Sequence, residues 1–192
     1  MVRKHACHRS LDALSKKISD AAMERLRHQV RYDAAYVVIP YPNGDVRPDR
    51  GVCSDEVVRI LRAVGLDLQQ LVHEDMGRAF LAYPQKWGKL RPDANIDHRR
   101  VPNLMKFFER RGASLPITEN AKDYAPGDIV AWNLGFGRTH IGVLVDVCTG
   151  SDDRPLVVHN IGAGPRLDDA LFAWEIIGYY RFPPRPSPGA GG

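Results

Sequence analysis

The run THIGVLVDV, residues 139–147, decides the predicted fold. It is rich in β-branched residues, which is typical of a buried β-strand. Three other runs in the second half of the chain, GDIVAWNL, PLVVHNIG and WEIIGYYRF, have the same character, and Gly, Asp, Ser and Pro separate them. Four consecutive strands with short connections predict an antiparallel meander.

The first half of the chain has helical periodicity instead. Apolar residues recur at steps of three and four in two segments, at Leu11, Leu14, Ile18, Ala22 and Leu26, and at Val57, Leu61 and Val64. This spacing predicts two amphipathic helices. The whole pattern predicts an α+β fold, with N-terminal helices packed on the antiparallel β-meander. We expect three regions: an N-terminal helical segment at 1–31, a main domain at 32–182 and a disordered Pro/Gly tail at 183–192.

Composition argues against several classes of protein. The 192 residues suit one domain, and 27 basic and 23 acidic side chains give a net charge of +4. Because the basic residues form no long run, we expect no nucleic-acid partner. No apolar stretch reaches the roughly 18 residues that span a bilayer, so we expect no stable membrane insertion. Three well-separated cysteines predict neither a disulfide framework nor a zinc knuckle, and we interpret Cys7 and Cys148 as incidental.

The third cysteine has a different setting. In DRGVCSD, residues 49–55, Cys53 follows a glycine-containing turn and begins a predicted helix. Unpaired backbone N–H groups and the positive end of the helix dipole favour a thiolate at such a position. Asp55 and Glu56 act in the opposite direction, because a nearby anion raises the pKa of a thiol. The sequence leaves open whether these two carboxylates cap backbone donors or bind substrate.

Two histidines are candidates for the proton-transfer groups that a reactive thiol needs. His140 lies near the start of the second predicted strand, and His159 lies near the end of the third. If these strands pair as a hairpin, the two side chains lie at the same end of the sheet. One imidazole would then exchange a proton with Cys53, and the second would orient the first. Asn160 is the alternative orienting group.

These residues resemble a known family. A cysteine at a helix start after a turn with Tyr and Gly, followed by GDIVAWN, HIGVLVD and VVHN, resembles the NlpC-type papain-like cysteine peptidases of bacterial cell walls. The resemblance implies a papain-like fold in which Cys53 is the nucleophile, His140 the base and His159 the orienting group, with Tyr41 lining the site. Residues 32–182, with YPNGDVRPDRGVCSD, DLQQLVHEDM, NIDHRRVPNL and LVVHNIG, are similar to a bacterial family of unknown function within that clan.

The resemblance implies hydrolysis of an amide bond in peptidoglycan, without a cofactor and by a monomer. It does not distinguish an endopeptidase from an N-acetylmuramoyl-L-alanine amidase. Stem peptides carry carboxylates, which arginines bind well. The expected substrate-binding residues are Tyr41, Arg50, Asp55, His98, Arg99, Arg100, Trp132 and Asn160. For the segment 98–100 a solvated basic loop is an equal alternative, and for Trp132 a place in the core is the stronger one.

The expected place of action is the periplasm or cell wall. The N-terminus has a basic start but no apolar core of a Sec signal peptide. Two interpretations follow: export by another route such as type VI secretion, or a leader that is absent from this chain. The first would make the protein an antibacterial effector with a cognate immunity protein as partner.

Three other functions remain open. The same thiol and imidazole could serve a deamidase or acyltransferase. The basic balance also fits a non-catalytic domain that binds wall polymer or nucleic acid. A metallohydrolase built from His140, His159 and Asp146 or Cys148 has suitable ligand types but not ligand spacing, so we expect no metal.

Overall fold

The computed structural model describes residues 4–150 and 152–184, with helices in the first half of the chain and strands in the second. The helices of this part are α1 (Ala13–Arg25), α2 (Cys53–Ala63), α3 (Leu68–Ala79) and α4 (Val101–Arg110). Two short parallel strands, β1 (Arg31–Tyr32) and β2 (Arg50–Gly51), form a small sheet. An antiparallel sheet contains β3 (Ile129–Asn133), β4 (Thr139–Thr149), β5 (Arg154–Asn160), β6 (Pro165–Asp168) and β7 (Glu175–Tyr180). The predicted α+β class, with helices and an antiparallel sheet, is confirmed.

Local sequence signals set the ends of the helices. The Asp12 carboxylate accepts hydrogen bonds from two backbone N–H groups at the start of α1, and Asp67 does the same for one at the start of α3. These caps satisfy donors that have no partner within the helix. Gly65 follows α2 with φ +88°, a left-handed conformation in which glycine has no steric cost.

The main core lies between the helices and one face of the sheet. Its buried side chains come from all parts of the chain, including Ile18, Ala22, Val57, Leu61, Leu104, Phe107, Ile141, Val143 and Val158. A second cluster of buried side chains, formed mainly by strand residues that do not belong to the main core, contains Val130, Trp132, Leu144, Val157, Leu171 and Tyr179. Because α1 contributes to the main core, the predicted N-terminal segment 1–31 and the predicted domain 32–182 share one core.

The order of the strands differs from the predicted meander. The spatial order is β6-β5-β4-β3-β7, so the last strand returns to pair with β3 instead of following β5. Residues 165–168, which the periodicity of the sequence did not predict as a strand, occupy the edge beside β5. The prediction of a simple meander is therefore wrong. Strand runs identify the strands but do not fix which neighbours pair.

Cys7 and Cys148 form a disulfide, which corrects their interpretation as incidental. The segment before α1 runs beside the end of β4, where the backbone of His5 exchanges hydrogen bonds with that of Cys148. The two cysteines are 141 residues apart in sequence, so only the fold brings them together. Cys53 remains as a free thiol.

Two further predictions concern loops and termini. The segment 98–100, for which a solvated basic loop was an equal alternative, lies largely in a buried 3₁₀ turn, Asp97–Arg99, that leads directly into α4. Most of the predicted disordered tail, residues 185–192, lies outside the described residues. Among the described helices, none combines the length and apolarity needed to cross a bilayer.

We expect reduction of the disulfide to lower the free energy of unfolding by about 4 to 5 kcal/mol, because a long loop gains conformational freedom in the unfolded chain. Urea denaturation with and without dithiothreitol measures this difference. The double variant Cys7→Ser/Cys148→Ser is the control, and its midpoint should not respond to the reductant. Equal midpoints for the oxidised and reduced wild type would contradict the prediction.

Candidate active site

The Cys53 thiol lies at the first residue of α2, where the helix meets β4. Backbone N–H groups of Ser54 and Ile141 and the Tyr32 hydroxyl face the sulfur, and each lowers the pKa of the thiol. Ile141 follows His140 directly, so the sulfur lies against the β4 backbone one residue from the predicted base. The Ile141 side chain packs in the main core with Cys53, whereas the His140 ring stacks on Trp132 of the second cluster. Gly51, two residues before the cysteine, lets the backbone pass close to the side chains of Asp55 and Arg59. Its φ is +155°, and a Cβ there would lie 3.1 Å from both side chains.

Burial dominates the electrostatics of this thiol. Cys53 is 4% exposed, and desolvation raises its pKa to about 11 despite three hydrogen-bonding groups. Of the opposing effects expected at the helix start, those that favour the thiol prevail in the free protein, because loss of water outweighs the helix N-terminus. The resting group is a protonated thiol.

The tyrosine at the thiol is Tyr32, which corrects the prediction of Tyr41. Tyr32 pairs with Gly51 across β1 and β2, and its hydroxyl interacts with the sulfur. Burial and the neighbouring sulfur raise the pKa of Tyr32 to about 12, although the residue is 41% exposed. Tyr41 packs instead against the ring of His73 in α3. Strands of two residues leave no periodic signal, so the sequence could not indicate this pairing.

The two predicted histidines lie together, and a carboxylate extends the pair. His140 Nε2 is 2.7 Å from His159 Nδ1, and His159 Nε2 is 3.1 Å from Asp168 Oδ2. Asp168 lies on β6, so the unpredicted edge strand supplies the residue that sequence reasoning missed. Asn160 is fully buried and its side-chain oxygen accepts hydrogen bonds from the N–H groups of Gly162 and Gly164. The residue that contacts and orients His140 is therefore His159, while Asn160 holds the loop that follows β5.

This chain of three groups fixes where the ring protons lie. An ionised Asp168 only accepts hydrogen bonds, so His159 carries its proton on Nε2 and presents a lone pair on Nδ1. His140 then donates from Nε2, and its Nδ1 is left unprotonated. Burial and the neighbouring His159 lower the pKa of His140 to about 3, while burial lowers that of His159. Both rings are neutral near pH 7, and His140 Nδ1 is available as a base.

Two tryptophans hold the histidine pair in place. Trp132 pairs with His140 across β3 and β4 and stacks on its ring at 5.7 Å, while Trp174 meets that ring edge-on at 6.0 Å. Trp132 is fully buried, and its indole N–H donates to the Leu171 carbonyl. Trp132 therefore occupies the core, the stronger of its two expected roles, where it packs against His140.

Asp55 and Arg99 form a buried ion pair, which corrects their prediction as substrate-binding residues. Arg99 Nε and Nη2 donate to Asp55 at 2.8 and 3.0 Å, and both side chains are at most 3% exposed. Asp55 also accepts the backbone N–H of Val52 at 2.7 Å. Of the two interpretations of Asp55, capping is the correct one. Glu56 is likewise engaged, in ion pairs with Arg25 and Arg59.

The other predicted substrate residues differ in accessibility. His98 is 3% exposed and burial lowers its pKa to about 4, so a binding role for this neutral ring is not supported. Arg100 pairs with Asp97 at 3.1 Å and stacks 4.1 Å above the Trp87 ring. Arg50 lies on β2, pairs with Asp33 at 2.7 Å and keeps 42% of its side chain exposed. Arg50 is thus the predicted arginine that remains accessible near the thiol.

We expect ring-nitrogen NMR of the histidines to find protons on Nε2 of both His140 and His159. Asp168→Asn should redistribute these protons, because an amide can donate to His159 Nε2 and permit the opposite tautomer. Asp169→Asn is the matched control, since Asp169 pairs with Arg154 on the surface and does not contact the histidines. An unprotonated His140 Nε2 in the wild type would contradict the assignment.

Alkylation by iodoacetamide should be slow at pH 7 and should rise about tenfold per pH unit towards pH 11, because the thiolate reacts and the folded pKa is raised. Tyr32→Phe should slow the reaction further below pH 11, since the hydroxyl stabilises the thiolate. In the oxidised protein Cys7 and Cys148 are bound in the disulfide, so mass spectrometry measures the rate of alkylation at Cys53 alone. Tyr36→Phe is the control and should react at the wild-type rate. Fast alkylation of the wild type already at pH 7 would contradict the raised pKa.

Comparison with known proteins places the chain in a family. The protein family described as Domain of unknown function (DUF1287) matches residues 19–182, so the chain belongs to this family. The chain is also 52% identical over 165 residues to the Uncharacterized protein YijF of Escherichia coli (strain K12), covering 86% of this chain and 80% of that protein. No solved structure matches the chain. Cys53, Tyr32, His140, His159 and Asp168 all lie within the matched range.

Proposed function

We propose that this member of the DUF1287 family is a thiol hydrolase that cleaves an amide bond in the stem peptide of bacterial peptidoglycan. The observation that carries the proposal is the junction of α2 and β4. A free thiol at a helix start lies against the backbone of residue 141, one residue along β4 from His140, which begins the hydrogen-bonded chain of His140, His159 and Asp168. A nucleophile, a base and groups that orient the base are the parts of a cysteine hydrolase.

The proposed fold is papain-like, of the NlpC type, for residues 32–182. The catalytic cysteine would begin a helix that packs on an antiparallel sheet, and the histidines would stand on two neighbouring strands of that sheet. The α2 and β4 contact, the antiparallel pairing of β4 with β5, and the ring stacked on His140 support this arrangement.

The reaction begins with both groups neutral. The proposed reaction requires His140 Nδ1 to reach the thiol, directly or through one water molecule, and to take its proton as the Cys53 sulfur attacks the carbonyl carbon of the amide. The carbonyl oxygen becomes an oxyanion, which the N–H groups at the start of α2 and the Tyr32 hydroxyl stabilise. His159 and Asp168 stabilise the positive charge that forms on His140, because Asp168 pulls the proton of His159 towards itself and leaves Nδ1 a better acceptor.

The second half of the cycle releases the products. His140 gives its proton to the leaving nitrogen, the C–N bond breaks, and an amine leaves with the acyl group attached to the sulfur. His140 then removes a proton from water as the water oxygen attacks the thioester carbon. The C–S bond breaks, a carboxylic acid leaves, and the proton returns to the sulfur. All atoms come from the amide and one water molecule.

The disulfide supports action outside the cytoplasm. Disulfides persist in oxidising compartments such as the bacterial periplasm and are rare in the reducing cytosol. A buried cross-link between Cys7 and Cys148 therefore agrees with a substrate in the cell wall. Arg50, exposed beside the thiol, would anchor a carboxylate of the stem peptide by exchanging its contact with Asp33.

We expect the wild type to release soluble fragments from purified peptidoglycan, and we expect Cys53→Ala to lower that rate by roughly 10⁴-fold or more, because the covalent route is lost. Mass spectrometry of the products separates the two scissile bonds. An amidase frees the stem peptide from the sugar, and an endopeptidase cuts within the peptide.

The controls separate the remaining functions. His140→Ala should be nearly inactive, whereas His28→Ala, which changes a histidine on the surface, should be unaffected. Circular dichroism checks that each variant folds. Intact peptidoglycan after treatment with the wild type would refute hydrolysis, and acyl transfer or deamidation in that sample would identify the alternative. Inhibition by a chelator but not by a thiol alkylator would identify a metallohydrolase.

A further inference from the structure

A second cluster of reactive side chains lies at the other end of β4. His5 and His8 stand on the segment before α1, and Asp153 stands in the turn before β5. One potential ligand atom from each residue lies within 4.8 Å of the other two. Among residues 4–150 and 152–184, this is the one cluster of three metal-ligand side chains at such distances. Cys148 lies eight positions after His140 along β4, which corresponds to about 26 Å of extended strand. The cluster is therefore independent of the thiol site.

The covalent structure holds the three residues in place. The Cys7–Cys148 disulfide joins their two segments, and His5 exchanges two backbone hydrogen bonds with Cys148. Asp153 Oδ2 accepts the backbone N–H of His8 at 2.9 Å, which turns Oδ1 towards both imidazoles. Groups whose orientation is fixed in advance bind a ligand with little loss of conformational entropy.

The distances fit a shared ion. Asp153 Oδ1 is 3.1 Å from His5 Nε2 and 3.1 Å from His8 Nδ1. Ligand atoms around tetrahedral zinc lie about 3.3 to 3.6 Å apart, as bonds of roughly 2.0 to 2.2 Å require. A zinc site would lengthen the two hydrogen-bonded distances by a few tenths of an ångström, and all three ligand atoms already lie within 4.8 Å of one another. Two imidazoles and one carboxylate form a donor set that suits zinc.

We propose that His5, His8 and Asp153 bind a divalent transition-metal ion of the zinc class. Three protein ligands leave a fourth position of a tetrahedral site for water or an added ligand. The His8 side chain is 79% exposed, so the ion has a direct path from solvent. Bound metal would fasten the segment before α1 to the turn between β4 and β5, in parallel with the disulfide.

Sequence reasoning could not find this site. His5 and His8 flank a cysteine in KHACH, residues 4–8, but the third ligand lies 145 residues beyond His8. The expectation of no metal considered only ligands around His140 and His159. One of those ligands, Cys148, is unavailable because it is bound in the disulfide.

The test is calorimetric titration of the oxidised, untagged chain with Zn²⁺. We expect the wild type to bind one ion per chain and to melt at a higher temperature with zinc present, because the ion binds the folded state. His8→Ala and Asp153→Asn should each weaken zinc binding by at least about tenfold. Both positions are near the surface, and melting curves without zinc confirm that the variants fold.

Matched variants make the result decisive. His28→Ala removes an exposed histidine elsewhere and should retain full affinity. His140→Ala should also retain it, because the thiol site is not involved. Absence of zinc binding by the wild type, equal binding by His8→Ala and Asp153→Asn, or loss of binding in His140→Ala would each overturn the proposal. Since the readout is affinity, the outcome does not depend on whether peptidoglycan is cleaved.

Discussion

The buried ion pair of Asp55 and Arg99 is the interaction on which the thiol site depends. Asp55 caps the start of α2, and Arg99 donates to the carbonyls of Asp33 and Ala35, directly after Tyr32. The Ser54 hydroxyl donates to the Arg99 carbonyl and completes the connection. One pair therefore joins the helix start, the end of β1 and the turn at 97–99. Removing either partner would leave an unpaired buried charge, which costs about 3 to 5 kcal/mol.

The burial that builds the site also keeps it unreactive at rest. A thiol with a pKa of about 11 and an imidazole with a pKa of about 3 form no ion pair in the free protein. In the proposed mechanism a proton moves as the sulfur attacks, so the energy that drives the transfer would come from substrate binding and from the oxyanion donors. Such a site differs from one with a permanent thiolate, because oxidants and alkylators find little thiolate to react with.

The sequence supports part of this site and not the rest, for physical reasons. Cys53, His140 and His159 could be selected because helix starts and strand runs are local patterns. The carboxylate of Asp168, by contrast, depends on a four-residue edge strand, and Tyr32 depends on strands of two residues. The Cys7–Cys148 bond joins residues 141 apart. Pairings of this kind follow from the register of the finished sheet, which no local pattern encodes.

The charged residues near the thiol illustrate how composition misleads about binding. Arg99 was expected to anchor a substrate carboxylate, yet it neutralises Asp55 inside the protein. Arg25 and Arg59 neutralise Glu56 in the same way. A helix start that carries two buried carboxylates requires buried cations nearby, because an unpaired buried charge is too costly. Under the proposed function, substrate recognition would fall to the polar groups that remain exposed beside the sulfur. Tyr32 and Arg50 are such groups, and they stand on the paired strands β1 and β2.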